Sequence, residues 1–325
     1  MRVAVTGSIA SDHLMTFKGR FADSLVAEQL DKISLSFLAD DLDIRRGGCG
    51  PNIAFAMARL GMKPILVGAA GADFDDYRSW LERHGVDCAS VRISETLHTA
   101  RFVVTTDTAL AQIATFYAGA MKEARFIELG PVAARVGHLD LVVIGPNDPE
   151  AMIRHTDECR SRGIPFAADP SQQLAFMDGP GIRKLIDGAD YLFTNEYESY
   201  LAEQKTGWSA DDIAERVRVR VITRGKDGVV VAERGQEPVQ VEAALTDKVK
   251  DPTGVGDAFR GGFITGLSLG LSHARAAQLG ALLATHVLET VGTQEYRLGQ
   301  QSFIRRFASV YGEDAAKDLD GLRIR

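Results

Sequence analysis

Beyond residue 140, short uninterrupted apolar runs alternate with longer stretches where apolar and polar positions recur at helical spacing. Leu141–Ile144, Ile164–Ala168, Tyr191–Thr194 and Val219–Thr223 read as buried strands. Residues 149–161, about 180–187 and about 196–204 read as helices between them. Pro149 stands at a first-turn position and Gly163 just past the end of the first helix, the usual placing of both residues. Strands alternating with helices build βαβ units, so the predicted class is α/β with a parallel sheet. The C-terminal third is helical at roughly 255–269, 272–290 and 300–311, and its last dozen residues are polar.

The first half is less regular. Residues 3–9 read as a first strand, Pro51 to Leu60 as a helix stopped by Gly61, Lys63 to Val67 as a strand, and 74–84 as an amphipathic helix. Residues 15–47 and 91–117 fit neither rhythm. They hold β-prone pieces at Ser34–Leu38, Arg101–Thr105 and Ile113–Tyr117, which predict a small β-subdomain on the α/β body. No repeat or Pro/Gly/Ser-rich linker marks a cut, so 1–325 reads as one domain with this appendage.

Composition narrows the function classes. With 45% hydrophobic and 25% charged residues, the chain is ordinary globular protein rather than disordered. The net charge of −7, without a long Lys/Arg run, makes a poor surface for nucleic acid. No apolar run approaches a membrane span, and Met1–Met15 is too soon interrupted by Asp12 for a leader. Cys49, Cys88 and Cys159 are too few and scattered for a disulfide framework or zinc site. A cytoplasmic protein with reduced thiols is the expectation.

The strongest motif is Asp251-Pro-Thr-Gly-Val-Gly-Asp257, opening a helix. Gly254 and Gly256 let successive amides point at one spot, and the helix start adds its positive end, making an anion hole. Asp257 beside it can accept a proton from a substrate hydroxyl. A helix cap with a Gly-rich turn would look the same. No P-loop is present: Arg220 stands where its first Gly belongs and Asp227 follows Lys226. Nor does GxGxxG follow the first strand. In Arg46-Gly-Gly-Cys-Gly-Pro-Asn52, Gly47 and Gly48 permit close approach to a ligand and Asn52 offers donors and an acceptor. Gly7-Ser8-Ile-Ala-Ser-Asp12 lies at a strand's carboxyl end, where Asp12 could hold a pair of hydroxyls or simply terminate a turn. Asn195 and Glu198, three apart, could hold a hydrated Mg²⁺ or cap a helix. Thr223-Arg-Gly-Lys-Asp-Gly228 could wrap a nucleotide or form a hairpin into strand 229–233.

These five motifs, in this order, resemble the ribokinase-like (PfkB) carbohydrate kinase family over nearly the full chain, with Pro252 and Val255 replacing the usual Thr and Ala of its C-terminal motif. Ser34-Leu-Ser-Phe37, Thr99-Ala-Arg-Phe102, Gln112-Ile-Ala-Thr-Phe116 and Asp169-Pro-Ser-Gln-Gln173 are similar to bacterial adenosine kinases. The resemblance implies a doubly wound α/β body with a β-sheet lid, often shared in a homodimer, and ATP-dependent, Mg²⁺-dependent phosphorylation of the adenosine 5′-hydroxyl. By the same resemblance Asp12, Gly48 and Asn52 hold ribose, with Ser8 and Ser36 at that pocket. Phe102 and Phe116 face the base, with Gln172 and Gln173 at its edge. ATP lies across Asn195, Thr223, Gly225, Gly228 and Gly256, with Asn195 and Glu198 toward the metal. Asp257 is the base, and Gly254 and Gly256 form the anion hole. A K⁺ site would involve Asp251 and Thr290–Thr293. A sugar kinase of the same fold and a nucleoside-binding protein without turnover are the alternatives. Two aromatic plates argue against the first and the base beside the anion hole against the second.

Overall fold

The computed structural model describes residues 1–24 and 36–325. Its large sheet has the order β13-β12-β11-β10-β9-β8-β1-β4-β5. The strands are β1 (Val3–Thr6), β4 (Ile65–Gly71), β5 (Asp87–Ser94), β8 (Leu141–Ile144), β9 (Phe166–Ala168), β10 (Tyr191–Asn195), β11 (Val219–Thr223), β12 (Val229–Glu233) and β13 (Val239–Val241). From β11 to β5 all neighbours are parallel; β12 and β13 add an antiparallel edge. A second, four-stranded sheet runs β3-β2-β6-β7, from β2 (Ala10–Thr16), β3 (Asp41–Gly47), β6 (Ala100–Thr106) and β7 (Gln112–Tyr117).

Every residue of β1, β4 and β8 is buried, because helices cover both faces of the large sheet. Alternate side chains feed two cores. Val3, Val5, Leu141 and Val143 pack beneath helices Cys49–Arg59, Val255–Ser268 and His273–Leu288. Ala4, Val142 and Ile144 pack beneath Pro149–Arg162 and Gly179–Ile186 on the other side. Asp148 caps Pro149–Arg162 by accepting from the Ala151 amide, and Gly163 closes it with φ 63°.

β1 pairs with both β4 and β8. The chain therefore winds outward from β1 in two directions, and the crevice at the strands' carboxyl ends opens at this switch point. The strands and helices predicted after residue 140 lie within two residues of their predicted bounds; the short helices Gln173–Phe176, Ala210–Arg216 and Glu313–Lys317 and the edge strand β13 are additional to them. The first strand ends at Thr6 rather than residue 9, because the Gly7 and Ser8 amides turn to the carbonyls of Val67 and Pro146 and the chain leaves for the small sheet. That sheet starts earlier than predicted, at Ala10. Residues 91–94, read as part of the appendage, belong to edge strand β5. Of the β-prone stretch Ser34–Leu38, residues 34 and 35 lie outside the described residues and 36–38 are not in a strand. Among the described residues no helix is long and apolar enough to cross a membrane, and all three cysteines are free.

Candidate active site

The carboxyl ends of β1, β8, β9, β10 and β11 deliver Ser8, Asn147, Asp169, Asn195 and Thr223 to one edge of the large sheet. The helices starting at Cys49 and Val255 point their amino ends at the same edge, and the small sheet leans over it. The cleft between them encloses about 1130 Å³. Of the residues predicted for nucleoside, ATP, metal and catalysis, Ser36 alone does not line it and is exposed elsewhere; of those predicted for K⁺ only Thr293 lines it.

At the floor, Gly254 takes φ 75° and a Cβ there would sit 2.9 Å from Thr293 Cγ2. Only glycine fits. No side chain caps the helix that follows, so its first N–H groups lack intrahelical acceptors and face the cleft as a cradle for anionic oxygens. The approach turn is pinned by Asp251, whose Oδ1 accepts from the Thr253 amide (2.9 Å) and Oδ2 from the Gly292 amide (2.9 Å). Asp257, in the first helical turn, accepts from Asn52 Nδ2 at 2.9 Å. Burial pushes its carboxyl up to about 6, against the opposing pull of the Asn52 hydrogen bond and of Arg260. One turn on, buried Arg260 makes a two-pronged pair with buried Asp169 (Nε–Oδ2 2.5 Å, Nη2–Oδ1 2.6 Å). Its Nη1 donates to the Gly256 carbonyl at 3.0 Å, which fixes the peptide of the anion cradle.

At the other end, sheet register sets the geometry. Arg45, Asp12, Phe102 and Phe116 are consecutive cross-strand partners over β3, β2, β6 and β7. Residues directly opposite in a sheet share a face, so the carboxylate and both rings form one row along the cleft. Phe102 is 37% and Phe116 52% exposed, open aromatic surface inside a concave site rather than core. Burial raises the Asp12 carboxyl to about 6, with Arg45 opposing and Asp251 adding to the rise. Gly48, with φ 91°, lies where any Cβ would strike the Ser8 carbonyl oxygen; this brings the helix start and its Asn52 against the β1 loop. Ser8 Oγ accepts from the Cys49 amide at 3.3 Å.

The amide side chains between these ends are partly engaged. Gln172 Nε2 donates to Cys49 Sγ at 3.8 Å, its Oε1 accepts from Ser171 Oγ at 2.8 Å, and Gln173 Nε2 donates to the Asn147 carbonyl at 2.9 Å. Asn195 and Glu198 form a reciprocal capping box at 2.8 Å each way. Glu198 Oε1 accepts from Ser171 Oγ at 3.3 Å. Among the described residues no three His, Cys, Asp or Glu side chains gather as a metal cage. Mg²⁺ keeps several waters and asks for few carboxylates, so Glu198, with Asn195 beside it, suits a hydrated ion that phosphate also holds. Thr223, Gly225 and Gly228 line the far wall, where β11 turns back into β12 as a hairpin, one of the two readings of this segment.

The sequence from 21 to 298 matches the pfkB family carbohydrate kinase model. The chain belongs to the pfkB family. A solved nucleoside kinase from Burkholderia thailandensis, in complex with inosine, is 35% identical and superposes with a TM-score of 0.82 over 95% of this chain and 98% of that one. A nucleoside kinase from Methanocaldococcus jannaschii is 28% identical over 76% of this chain and 80% of its own length. A cytidine kinase from Thermococcus kodakarensis is 27% identical over 76% and 88%. In this pfkB kinase Pro252 and Val255 both line the cleft without displacing Asp257 or the glycines.

Three features of the site escaped the sequence reading. The Arg260–Asp169 pair joins residues 91 positions apart; the signal available was a strand-end Asp before Pro170. Asn147 is buried with its Nδ2 unpaired beside the cleft. Leu245, Val249 and Leu288 line the cleft beyond Gly228 with apolar surface, and Leu245 and Val249 are largely exposed.

Proposed function

We propose that this pfkB kinase is an ATP-dependent nucleoside kinase that phosphorylates the 5′-hydroxyl of adenosine. The observation that carries the reading is the row of Asp12, Phe102 and Phe116 opposite Asp257 in one cleft. A carboxylate suits the vicinal ribose hydroxyls and two open rings suit a purine. A sugar alone needs no aromatic plates. The inosine complex of the Burkholderia thailandensis relative supports a purine nucleoside at such a site.

In this reading ribose lies against Asp12, Gly48, Asn52 and Ser8, and the base lies between the rings with Gln172, Gln173 and Asn147 at its edge. ATP crosses Asn195, Thr223, Gly225 and Gly228, with its base toward Leu245 and Val249. Asp257, ionised at neutral pH, takes the 5′-hydroxyl proton, and the amides of 254–257 receive the charge on the transferred phosphoryl group. Mg²⁺ bound with the nucleotide would neutralise phosphate charge further, and Glu198 and Asn195 are the residues that would hold it. The small sheet acts as a lid whose closure excludes water and suppresses ATP hydrolysis. A K⁺ at Asp251 would share that carboxylate with two amides and with the Arg45 guanidinium 3.9 Å away, so the reading carries a weak K⁺ response rather than a requirement. The lid's other face exposes Leu42, Ile44 and Ile113. A second copy of the chain covers them in a dimer.

The test is ADP release measured with adenosine, inosine, cytidine, ribose and fructose as acceptors. Adenosine should lead. Turnover of a sugar without any nucleoside would replace this reading by a sugar kinase, and nucleoside binding without ADP release by a non-catalytic binder.

A further inference from the structure

We infer that Gln294, backed by Trp80, is a positioning residue that fixes the direction of the hydrogen bond received by Asp257. The inference rests on Asp257 being the base of the proposed kinase.

Gln294 is buried and one side chain away from the base; the residue before it, Thr293, lies against Gly254 of the anion cradle. Its Oε1 accepts from Trp80 Nε1 at 3.1 Å. Its Nε2 donates to Asn52 Oδ1 at 2.9 Å and to Tyr77 Oη at 2.6 Å. Tyr77 Oη donates in turn to the Gly47 carbonyl at 3.0 Å. Asn52 Nδ2 then donates to Asp257 Oδ2 at 2.9 Å.

The polarity of this chain follows from one group. An indole N–H only donates. The Gln294 end that meets it must therefore be the oxygen, which leaves the Gln294 nitrogen facing Asn52. The Asn52 end that meets this nitrogen must be its oxygen, which leaves its nitrogen facing Asp257. The carboxylate thus receives a donor, and the amide flip that would set a carbonyl against it is excluded by a residue two links away. Trp80 is itself held firmly: its ring stacks on Phe55 (centroids 6.1 Å, planes 9° apart), and the Arg46 guanidinium lies 4.4 Å above it. Tyr77 carries the same network to Gly47, the end of β3 where the small sheet meets the Gly-Gly loop. The other groups facing Asp257 are Arg260, Asp169 and Cys49; Arg260 is already engaged by Asp169 and Gly256, and none of the three touches Asn52's acceptor side. Cys49 also favours the ionised carboxyl through a side-chain hydrogen bond, a smaller effect than that of Asn52; Asn52 sets the amide donor against Asp257, and Gln294 is what orients that amide.

The experiment is titration of the Asp257 carboxyl in the ligand-free protein by carbon NMR with labelled aspartate, assigned with Asp257→Asn, alongside the pH profile of kcat/KM for adenosine. Gln294→Glu offers only oxygens to both Trp80 and Asn52, so Asn52 turns its nitrogen away and its oxygen toward Asp257. The Asp257 pKa should rise by about one to two pH units, the span expected for losing a hydrogen bond to a carboxylate, and the acidic limb of the profile should move with it. Gln294→Leu, without added charge, should move both in the same direction. Trp80→Phe, which removes the donor that sets the polarity and keeps the packing, should give a smaller rise. Unchanged Asp257 titration in Trp80→Phe and in either folded Gln294 variant, with only a lowered melting temperature, would overturn the inference. The titration needs no turnover, so it stands apart from failure of the kinase reading, which would show as no nucleoside-dependent ADP release by the unaltered protein.

Discussion

Asp257→Asn should damage the reaction and stabilise the protein. Asparagine keeps the side chain's shape and an oxygen for the Asn52 hydrogen bond, but accepts no proton. Loss of a general base costs about 10²–10⁴-fold, so kcat should fall in that range with the KM for ATP almost unmoved. The stability effect follows from the raised carboxyl. Its folded value of about 6 lies above its ordinary 3.8, so the native state binds the proton more tightly than the unfolded chain. Stability is then greatest below about pH 4, falls as pH rises toward 6, and stays lower above it. At about 1.36 kcal/mol per pH unit the deficit near neutrality is about 3 kcal/mol. An unfolding entropy of about 2.1 cal/mol/K per residue makes this about 4 °C for a chain of this length. Melting of the ligand-free proteins at pH 7.5 and pH 4 reads it directly. Asp257→Asn should melt about 2–4 °C higher at pH 7.5, with the gain nearly gone at pH 4. Near-normal kcat would remove Asp257 from the role of base. A variant that melts lower than wild type at pH 7.5 would show that burial does not strain this carboxylate.

Asp12→Ala should raise the adenosine KM by about one to two decades, the worth of a hydrogen bond to a charged group, and an unchanged KM would place Asp12 outside the ribose site. The kcat/KM for adenosine should fall below about pH 6 with a slope steeper than one, because both Asp12 and Asp257 must be ionised in the free enzyme and both are raised to about 6; a flat profile from pH 5 to 7 would contradict both assignments. Light scattering at micromolar protein should give twice the 35.2 kDa chain mass, and a monomer alone would leave Leu42, Ile44 and Ile113 without the proposed cover.

How much of this was legible in the chain depends on where the physics is local. Leu141–Ile144 and Val219–Thr223 are strands buried on both faces, so their composition announces them and their bounds agree with the structure residue for residue. Asp148, Pro149 and Gly163 mark helix ends through backbone chemistry within a few residues. β3 gave no such signal: Asp41–Gly47 is polar and mostly exposed, and it is a strand only because β2 pairs with it. The anion cradle and Asp257 share one heptapeptide and were readable at once. Facing was not: the 14-residue spacing of Phe102 and Phe116 predicts a hairpin, but only the register puts the rings directly opposite each other and beside Asp12. Gln294 bonds to Asn52 across 242 residues, and nothing near either residue foretells the contact.

The central claim, a purine nucleoside held by the lid's aromatic row opposite Asp257, is tested most directly by kcat/KM for adenosine and for ribose in the wild type and in Phe102→Ala. Stacking on one ring is worth about 1–3 kcal/mol, so the variant should lose roughly 5- to 150-fold with adenosine while its KM for ATP barely moves. Ribose should be a poor substrate for both proteins, and equally poor. A wild type that prefers ribose, or a Phe102→Ala variant that keeps its full efficiency with adenosine, would contradict the account.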